Sequence, residues 1–198
     1  MRRKLLAVLI QPLLALGLCA MEFPLMRDGK AVSQIVVAEG AAPPVQFAAR
    51  ELAKFLARIS EGEAPQVSPA KHGSLYNVFI GIAEDRALAD AAKISSDTLR
   101  SGGFAIRASQ DGLYIIGGDP LGALYGAYEI LKKHAGIRWI FPGEEGEYFQ
   151  VRKTISVPEQ NILRNPYLQI RNLQLNSVSV RKPYFDTREW QVRNYMTP

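Results

Sequence analysis

Residues 117–143 read GGDPLGALYGAYEILKKHAGIRWIFPG, and their pattern decides the fold. Asp119 is a good helix N-cap, and Pro120 suits the first turn, where its missing N–H costs nothing. The spacing predicts a helix running to about His134. Leu121, Leu124, Tyr125, Tyr128 and Leu131 recur at three- and four-residue steps and so form one apolar face. Gly122 and Gly126 lie four apart and flatten part of that surface. Glycine inside a helix costs roughly 1 kcal/mol against alanine, which close approach of the helix to a sheet would offset. Gly136 suits a left-handed C-terminal cap, and Lys132, Lys133 and His134 sit where the helix dipole favours positive charge. Ile137 to Phe141 predicts a short buried strand, ended by Pro142-Gly143. With Tyr114 to Gly117 as the incoming strand, the unit is strand, helix, strand. It needs no chemistry to explain it. Phosphate binding at Gly117-Gly118 is the competing reading. It lacks the Gly-Lys-Ser/Thr of a P-loop, and its glycines do not follow dinucleotide spacing.

Working outward, Gln34 to Ala38 predicts a strand, and 39–44 a turn into a helix over about 44–60. Val45, Ala48, Ala49, Leu52, Phe55, Leu56 and Ile59 fall on one face of that helix, with Arg50, Glu51, Lys54 and Arg58 assigned to the other. Tyr76 to Ile82 is nearly all apolar, as in a strand buried on both faces. Residues 84–99 suggest a loose helix and a loop. Gly103 to Ala108 and Leu113 to Gly117 read as strands joined by a hairpin at Asp111-Gly112. Thr154 to Val157 is the expected last strand. The fold class is therefore α+β, an α/β sandwich: a mixed β-sheet with two main helices on one face. The domain spans 29–158, long enough for its own core. Residues 159–198 read as a linker followed by a strand-like run, Tyr167 to Leu175, and a polar stretch.

The chain has 198 residues and a formal charge of +5, but Arg2, Arg3 and Lys4 belong to an apparent leader. Without them 21 basic residues face 19 acidic ones, and no basic stripe with interleaved aromatics appears, so nothing points to nucleic acid. After the charged start, Leu5 to Leu18 is apolar apart from Gln11 and Pro12. With Ala20 as the cleavage point, residues 1–20 read as a signal peptide of a secreted or periplasmic protein. The apolar run is short and broken for a membrane span. Cys19 is the single cysteine. A lipid anchor there would want a small residue before it, and Leu18 is not small, so the lipoprotein reading is the lesser one. Cleavage after Ala20 leaves a chain without disulfides, thiolate nucleophiles or cysteine metal sites.

Gly126-Ala127-Tyr128-Glu129-Ile130-Leu131, then Gly136-Ile137-Arg138-Trp139 and Phe141-Pro142-Gly143, resemble the N-terminal domain of bacterial alpha-glucuronidases and related glycosidase-like proteins. The same small domain is similar to the one that precedes the barrel in beta-hexosaminidases (domain 2). Ile35-Val36-Val37, Ala48-Ala49-Arg50-Glu51-Leu52 and Gly103-Phe104 support the match, which covers about 30–175. In those families a catalytic (β/α)₈ barrel follows. The resemblance implies that Asn165 to Arg171 is the first barrel strand. Such a barrel takes roughly 250 residues, and 34 follow Arg164. The expectation is the secreted front end of a glycoside hydrolase of polysaccharide metabolism, truncated early and inactive alone, with its tail after about Asn165 poorly ordered. Its partners would be carbohydrate and the catalytic barrel. The other reading is a non-catalytic carbohydrate-binding or interaction module.

The family's acid/base carboxylates lie in the barrel, so no catalytic residue is assigned here. Glu144, Glu145 and Glu147 read as an exposed loop rather than the spaced pair that glycoside hydrolysis uses. His72 and His134 have no carboxylate at metal-ligand spacing, and no cofactor motif appears. Three residues are candidate substrate contacts. Trp139 is either core or a stacking face for a sugar at the domain boundary. Arg171 is a charge inside an apolar run, where it needs a partner. The beta-hexosaminidase resemblance implies that it binds sugar hydroxyls. Trp190, with Arg193 and Asn194, is similar to a Trp-and-Asn segment in the uncharacterised relatives.

Overall fold

The computed structural model describes residues 21–73, 75–172 and 187–197. The elements, in chain order, begin with strands β1 (Glu22–Arg27), β2 (Lys30–Ala31) and β3 (Ser33–Val36), helix α1 (Pro43–Ser60), and strands β4 (Val67–Ser68) and β5 (Tyr76–Ile82). Helix α2 (Arg86–Ala91), strands β6 (Phe104–Ser109) and β7 (Gly112–Gly117), and helix α3 (Pro120–Ile130) follow. The last are β8 (Arg138–Trp139), β9 (Glu147–Tyr148), β10 (Ile155–Pro158), β11 (Gln160–Arg164) and α4 (Thr187–Arg193).

The main sheet has six strands in the order β11-β6-β7-β5-β3-β4. Strands β3, β4, β5 and β7 are parallel, and β6 and β11 add antiparallel pairs at one side. The apolar runs of β5 and β7 are covered on both faces. On one, Val78, Ile80, Leu113 and Ile115 join Leu52 and Phe55 of α1 and Tyr125 and Tyr128 of α3 in the large core. On the other, Phe79, Tyr114 and Ile116 meet Ala92 and Ile94 beyond α2, and the Phe79 and Tyr114 rings stack at 4.8 Å. A mixed sheet with two main helices on one face is what the sequence pattern predicts.

The α3 unit shows why its residues are where they are. Asp119 Oδ1 accepts from Gly122 N at 2.7 Å, and its Oδ2 accepts from Ser101 Oγ and Gly102 N, so one carboxylate both caps the helix and ties down the preceding loop. A cap of this kind contributes about 1 kcal/mol. Because Asp119 fills the helix N-terminus, the phosphate reading of Gly117-Gly118 gains no support. A Cβ on Gly122 would lie 2.0 Å from the Gly103 carbonyl oxygen, and one on Gly126 would lie 2.6 Å from Ile115 Cγ2. The helix therefore does approach the sheet too closely for any side chain there. After Ile130 the helix widens into a π-type turn, Leu131–Ala135, ending at Gly136 with φ 85°.

Several expectations need correction. The unit begins before residue 29: β1 pairs with β10 and β2 in a separate three-stranded sheet. The stretch 159–164 is not a linker, because β11 pairs with β6 through five residues and forms the edge of the main sheet. Ile137 to Phe141 is not a long buried strand. Only Arg138–Trp139 pairs, with β9, and Ile140 and Phe141 are exposed. The tail is not loose throughout: α4 and the residues to 197 pack on the domain, for the electrostatic and aromatic reasons given below. Residues 165–172 form no strand in the described structure. The end of the strand-like run, Leu173 to Leu175, and the signal peptide, 1–20, lie outside the described residues.

Candidate functional site

Two charged clusters meet around α4. The first is buried. Arg193 Nη2 lies 2.9 Å from Glu51 Oε2 on α1, its Nη1 3.2 Å from Glu147 Oε1 on β9, and Nη2 also reaches Glu189 one turn earlier. Arg58 takes the other oxygen of Glu147, and Tyr128 donates its hydroxyl to Glu51 Oε2 at 3.2 Å. The guanidinium lies over Phe55 and Trp139 at 5.2 and 5.6 Å. The sequence pattern puts Glu51 on the polar face of α1 and Glu147 in an exposed loop, but the structure buries both side chains. Glu51 follows Ala48 by three and precedes Phe55 by four, which puts it on the apolar stripe. That spacing was the available sign of a buried carboxylate awaiting a cation.

The second cluster lines an open cleft of about 740 Å³ between α3, the π-turn, the β8–β9 ribbon and the segment after β11. Lys132, Lys133, Arg138, Arg164 and Arg171 line it, with Glu129 as its carboxylate among the described residues. Glu129 is already engaged: Tyr195 donates to its Oε2 at 2.5 Å, and Arg164 Nε lies 3.3 Å from Oε1. Lys132 Nζ donates to Asn194 Oδ1 at 3.3 Å and sits 4.0 Å from the centre of the Tyr195 ring. Tyr195 in turn packs edge-on to Tyr125, whose hydroxyl donates to the Met196 carbonyl. This aromatic and ionic seating is why the tail segment holds to the domain.

The three sequence candidates fall differently. Arg171 lines the cleft. Its Nε donates to the Tyr195 carbonyl at 2.8 Å and its guanidinium covers the Tyr125 ring at 5.3 Å, so its partners are backbone oxygen and an aromatic face. Trp139 is only 4% exposed, with Phe55 and Tyr128 edge-on to it. Its ring serves the core and offers no free face to a sugar. Trp190 donates Nε1–H to the Trp139 carbonyl at 3.1 Å and helps seat α4. Sequence reading missed Glu129, Lys132, Arg138 and Tyr148 as parts of one cleft, since they come together only through the π-turn and the ribbon. His72 bonds Ser68 and His134 bonds Gln160, and burial lowers the His134 pKa. No group of three or more potential metal ligands occurs among the described residues, and no helix there is long and apolar enough to cross a membrane.

Burial lowers the Lys132 amine from 10.5 to about 8; Glu129 works against that shift and Arg138 adds to it. Burial first, then the neighbouring carboxylates Glu51 and Glu129, push the Tyr128 and Tyr195 hydroxyls well above the usual phenol range. The signs are opposite in consequence. Below about pH 8 Lys132 is protonated both folded and unfolded, and its burial penalty is fully present. From there to about pH 10 the unfolded chain holds the extra proton, so stability rises with pH. Above about pH 10 the unfolded tyrosines ionise first and stability falls. Lys132→Met is expected to flatten the rise between about pH 8 and 10 in urea titrations; an unchanged slope would show that Lys132 does not cause it.

The fold is that of an α+β domain, a mixed sheet with two main helices on one face. Residues 25–130 match the model of the glycosyl hydrolase family 67 N-terminus, and the chain belongs to that family. Among solved structures it is similar to a family GH115 4-O-methyl-alpha-glucuronidase with specificity for decorated arabinogalactans. The identity is 18%, the TM-score 0.59, and the match covers 75% of this chain and 19% of that one. A Streptomyces coelicolor GH20 beta-N-acetylhexosaminidase matches at 14% identity and TM-score 0.51, over 77% of this chain and 25% of that one. A Streptomyces plicatus beta-hexosaminidase matches at 13% and 0.50, with the same coverage. At these identities the likeness is one of fold, and it is the beta-hexosaminidase domain-2-like fold expected from the sequence. The chain spans a fifth to a quarter of the length of these proteins. No curated protein matches it.

Proposed function

We propose that this is an exported accessory domain of an alpha-glucuronidase-like glycoside hydrolase, which packs against a catalytic (β/α)₈ barrel and does not hydrolyse glycosides by itself. Export rests on the leader at residues 1–20, and the role in carbohydrate metabolism on the family. One observation carries the docking reading. Ile140, Phe141, Tyr148, Tyr167, Leu168 and Ile170 are all exposed, and they belong to the ribbon and the segment that border the basic cleft. Exposed apolar residues scattered singly are ordinary, but a flanking group of six marks an interaction face. The similar proteins are four to five times longer than the match, which supplies a partner of the right kind for that face. The buried carboxylates support inactivity alone: Glu51, Glu129 and Glu147 are each held by arginine.

Purified protein is expected to release no product from aryl glycosides. Activity that follows the protein through purification and disappears in Glu129→Gln would overturn this. Fusion ahead of an alpha-glucuronidase barrel should slow amide exchange at 140–148 and 166–172; unchanged exchange would sink the docking reading. The second reading, a carbohydrate-binding module, is favoured by the excess of cations and the exposed Tyr148 in the cleft.

A further inference from the structure

Strands β3 and β5 are parallel neighbours in the main sheet, and the chain leaves their carboxyl ends for opposite faces. After β3 it enters α1, whose Leu52 and Phe55 belong to the large core; after β5 it enters α2, whose Leu88 packs against the second core. Neighbouring strand ends that part in this way leave a crevice, the usual ligand position in open α/β sheets. Here the crevice is a cleft of about 620 Å³, within the size range of small-molecule sites. It shares no lining residue with the basic cleft. Val36, Val45, Phe79, Ile80, Ile82 and Leu88 supply its apolar wall.

The polar groups select the ligand. Glu84 and Asp85 line the crevice and are exposed, and no Lys, Arg or His lines it. Lys71 lies over the Phe79 ring at 5.0 Å, outside the lining. The N-terminus of α1 offers nothing to a phosphate: Pro43 and Pro44 have no N–H, and those of Val45 and Gln46 already bond the Ala42 carbonyl. The positive end of that helix is worth about half a charge, less than the two carboxylates. The backbone adds an acceptor and a donor. β3 ends its pairing with β5 at Val36, opposite Phe79, whereas β5 runs on to Ile82. Tyr76 N bonds Val32 O and Ala83 N bonds Gly117 O, so the even-numbered residues of β5 turn their backbone groups toward β3. The Ile80 carbonyl and the Ile82 N–H therefore come after the last β3 partner and face the crevice. Neither has a backbone partner on that side among the described residues.

We propose that this crevice binds a small molecule with an apolar body and an ammonium group beside a carbonyl oxygen, the chemistry of an apolar amino-acid amide. The body lies on the apolar wall. The ammonium sits between the Ile80 carbonyl and the carboxylates of Glu84 and Asp85, and the ligand carbonyl accepts from the Ile82 N–H. An anion would meet two carboxylates with no lining cation to offset them. Burial of the body supplies the affinity, and the exposed carboxylates add a smaller preference for positive charge. The site needs neither the docking nor the carbohydrate reading.

The test titrates the whole chain at about pH 6.5, where an α-amino group is protonated, and at low salt. The probes are phenylalaninamide, 3-phenylpropanamide, which lacks the ammonium, and phenylalanine, which carries a carboxylate in place of the amide. Amide chemical shifts at 36–45 and 80–88 are expected to saturate with phenylalaninamide in about the millimolar range, with each other probe at least about fivefold weaker. Glu84→Gln combined with Asp85→Asn removes both charges, while Asn keeps the α2 cap. It should bring phenylalaninamide and 3-phenylpropanamide to within about twofold of each other, with unchanged circular dichroism. No saturable shift at about 10 mM, shifts confined to other residues, equal binding of 3-phenylpropanamide, or a preference that survives the double substitution overturns the proposal. Slowed exchange at 36–45 and 80–88 in the barrel fusion also overturns it, by making the crevice part of the domain interface. The docking reading is decided separately, at 140–148 and 166–172.

Discussion

Arg193→Ala is expected to lower the unfolding free energy by about 3–5 kcal/mol, the usual cost of removing one member of a buried ion pair. Arg193 is 5% exposed and Glu51 4%, so water cannot take over when the guanidinium goes. Glu147 keeps Arg58, but among the described residues Glu51 keeps the Tyr128 hydroxyl and a distant Lys54 at 3.8 Å. The loss is thus dominated by one stranded carboxylate rather than by the attraction given up. Urea unfolding at neutral pH measures it, and the melting temperature should fall by roughly 10 °C. Glu51→Gln in the same chain should restore part of the loss, since it removes the stranded charge. A change below about 1 kcal/mol would mean that α4 does not rest on this cluster. The two tryptophans report the seating of α4 directly: Trp190 bonds the Trp139 carbonyl, so fluorescence should shift red if the segment leaves.

Gly122→Ala is the second large effect, and helix propensity predicts the wrong sign for it. Alanine should gain about 1 kcal/mol in a helix interior. Its Cβ would stand 2.0 Å from the Gly103 carbonyl oxygen and 3.1 Å from the carbonyl carbon, which are backbone atoms of the sheet entry and cannot swing aside. The helix must move instead. That movement loosens the Asp119 cap on Gly122 N and the Gly118 N to Gly103 O bond of 2.9 Å. Overpacking of this kind costs about 1–3 kcal/mol and a lost cap about 1 more; set against the propensity gain of about 1, a net loss of about 1–3 kcal/mol is expected. Gly40→Ala is the control. A Cβ there meets nothing within 4 Å, so its effect should stay within about 0.5 kcal/mol. Equal effects at the two positions would refute the close-approach argument.

Both predictions concern residues that sequence reading handled differently. Gly122 and Gly126 were legible because an i, i+4 glycine pair on an apolar helix has few purposes besides close contact with a sheet. Glu51 reads as a polar-face residue by type, whereas its position on the stripe is what marks it as buried. Glu147 offered no such cue: its burial depends on Arg58 and Arg193, 89 and 46 residues away along the chain. β11 reads as linker by composition because a five-residue edge strand exposes much of its surface to solvent and has the make-up of a polar loop. Trp139 illustrates an ambiguity that alternation cannot resolve, since a buried ring and a sugar platform share the same two-residue period.

The sequence by itself determined the local grammar of this protein: the capped α3, its glycine face, the amphipathic α1, the doubly buried β5, the β6–β7 hairpin, and so the mixed sheet with both helices on one side. These follow from interactions within a few residues, which spacing records. Tertiary structure alone decided the edge strand β11, the buried Glu51–Arg193–Glu147 cluster and the basic cleft. Each is built from groups distant in sequence, whose energies depend on the removal of water from around charges that meet only after the chain has folded.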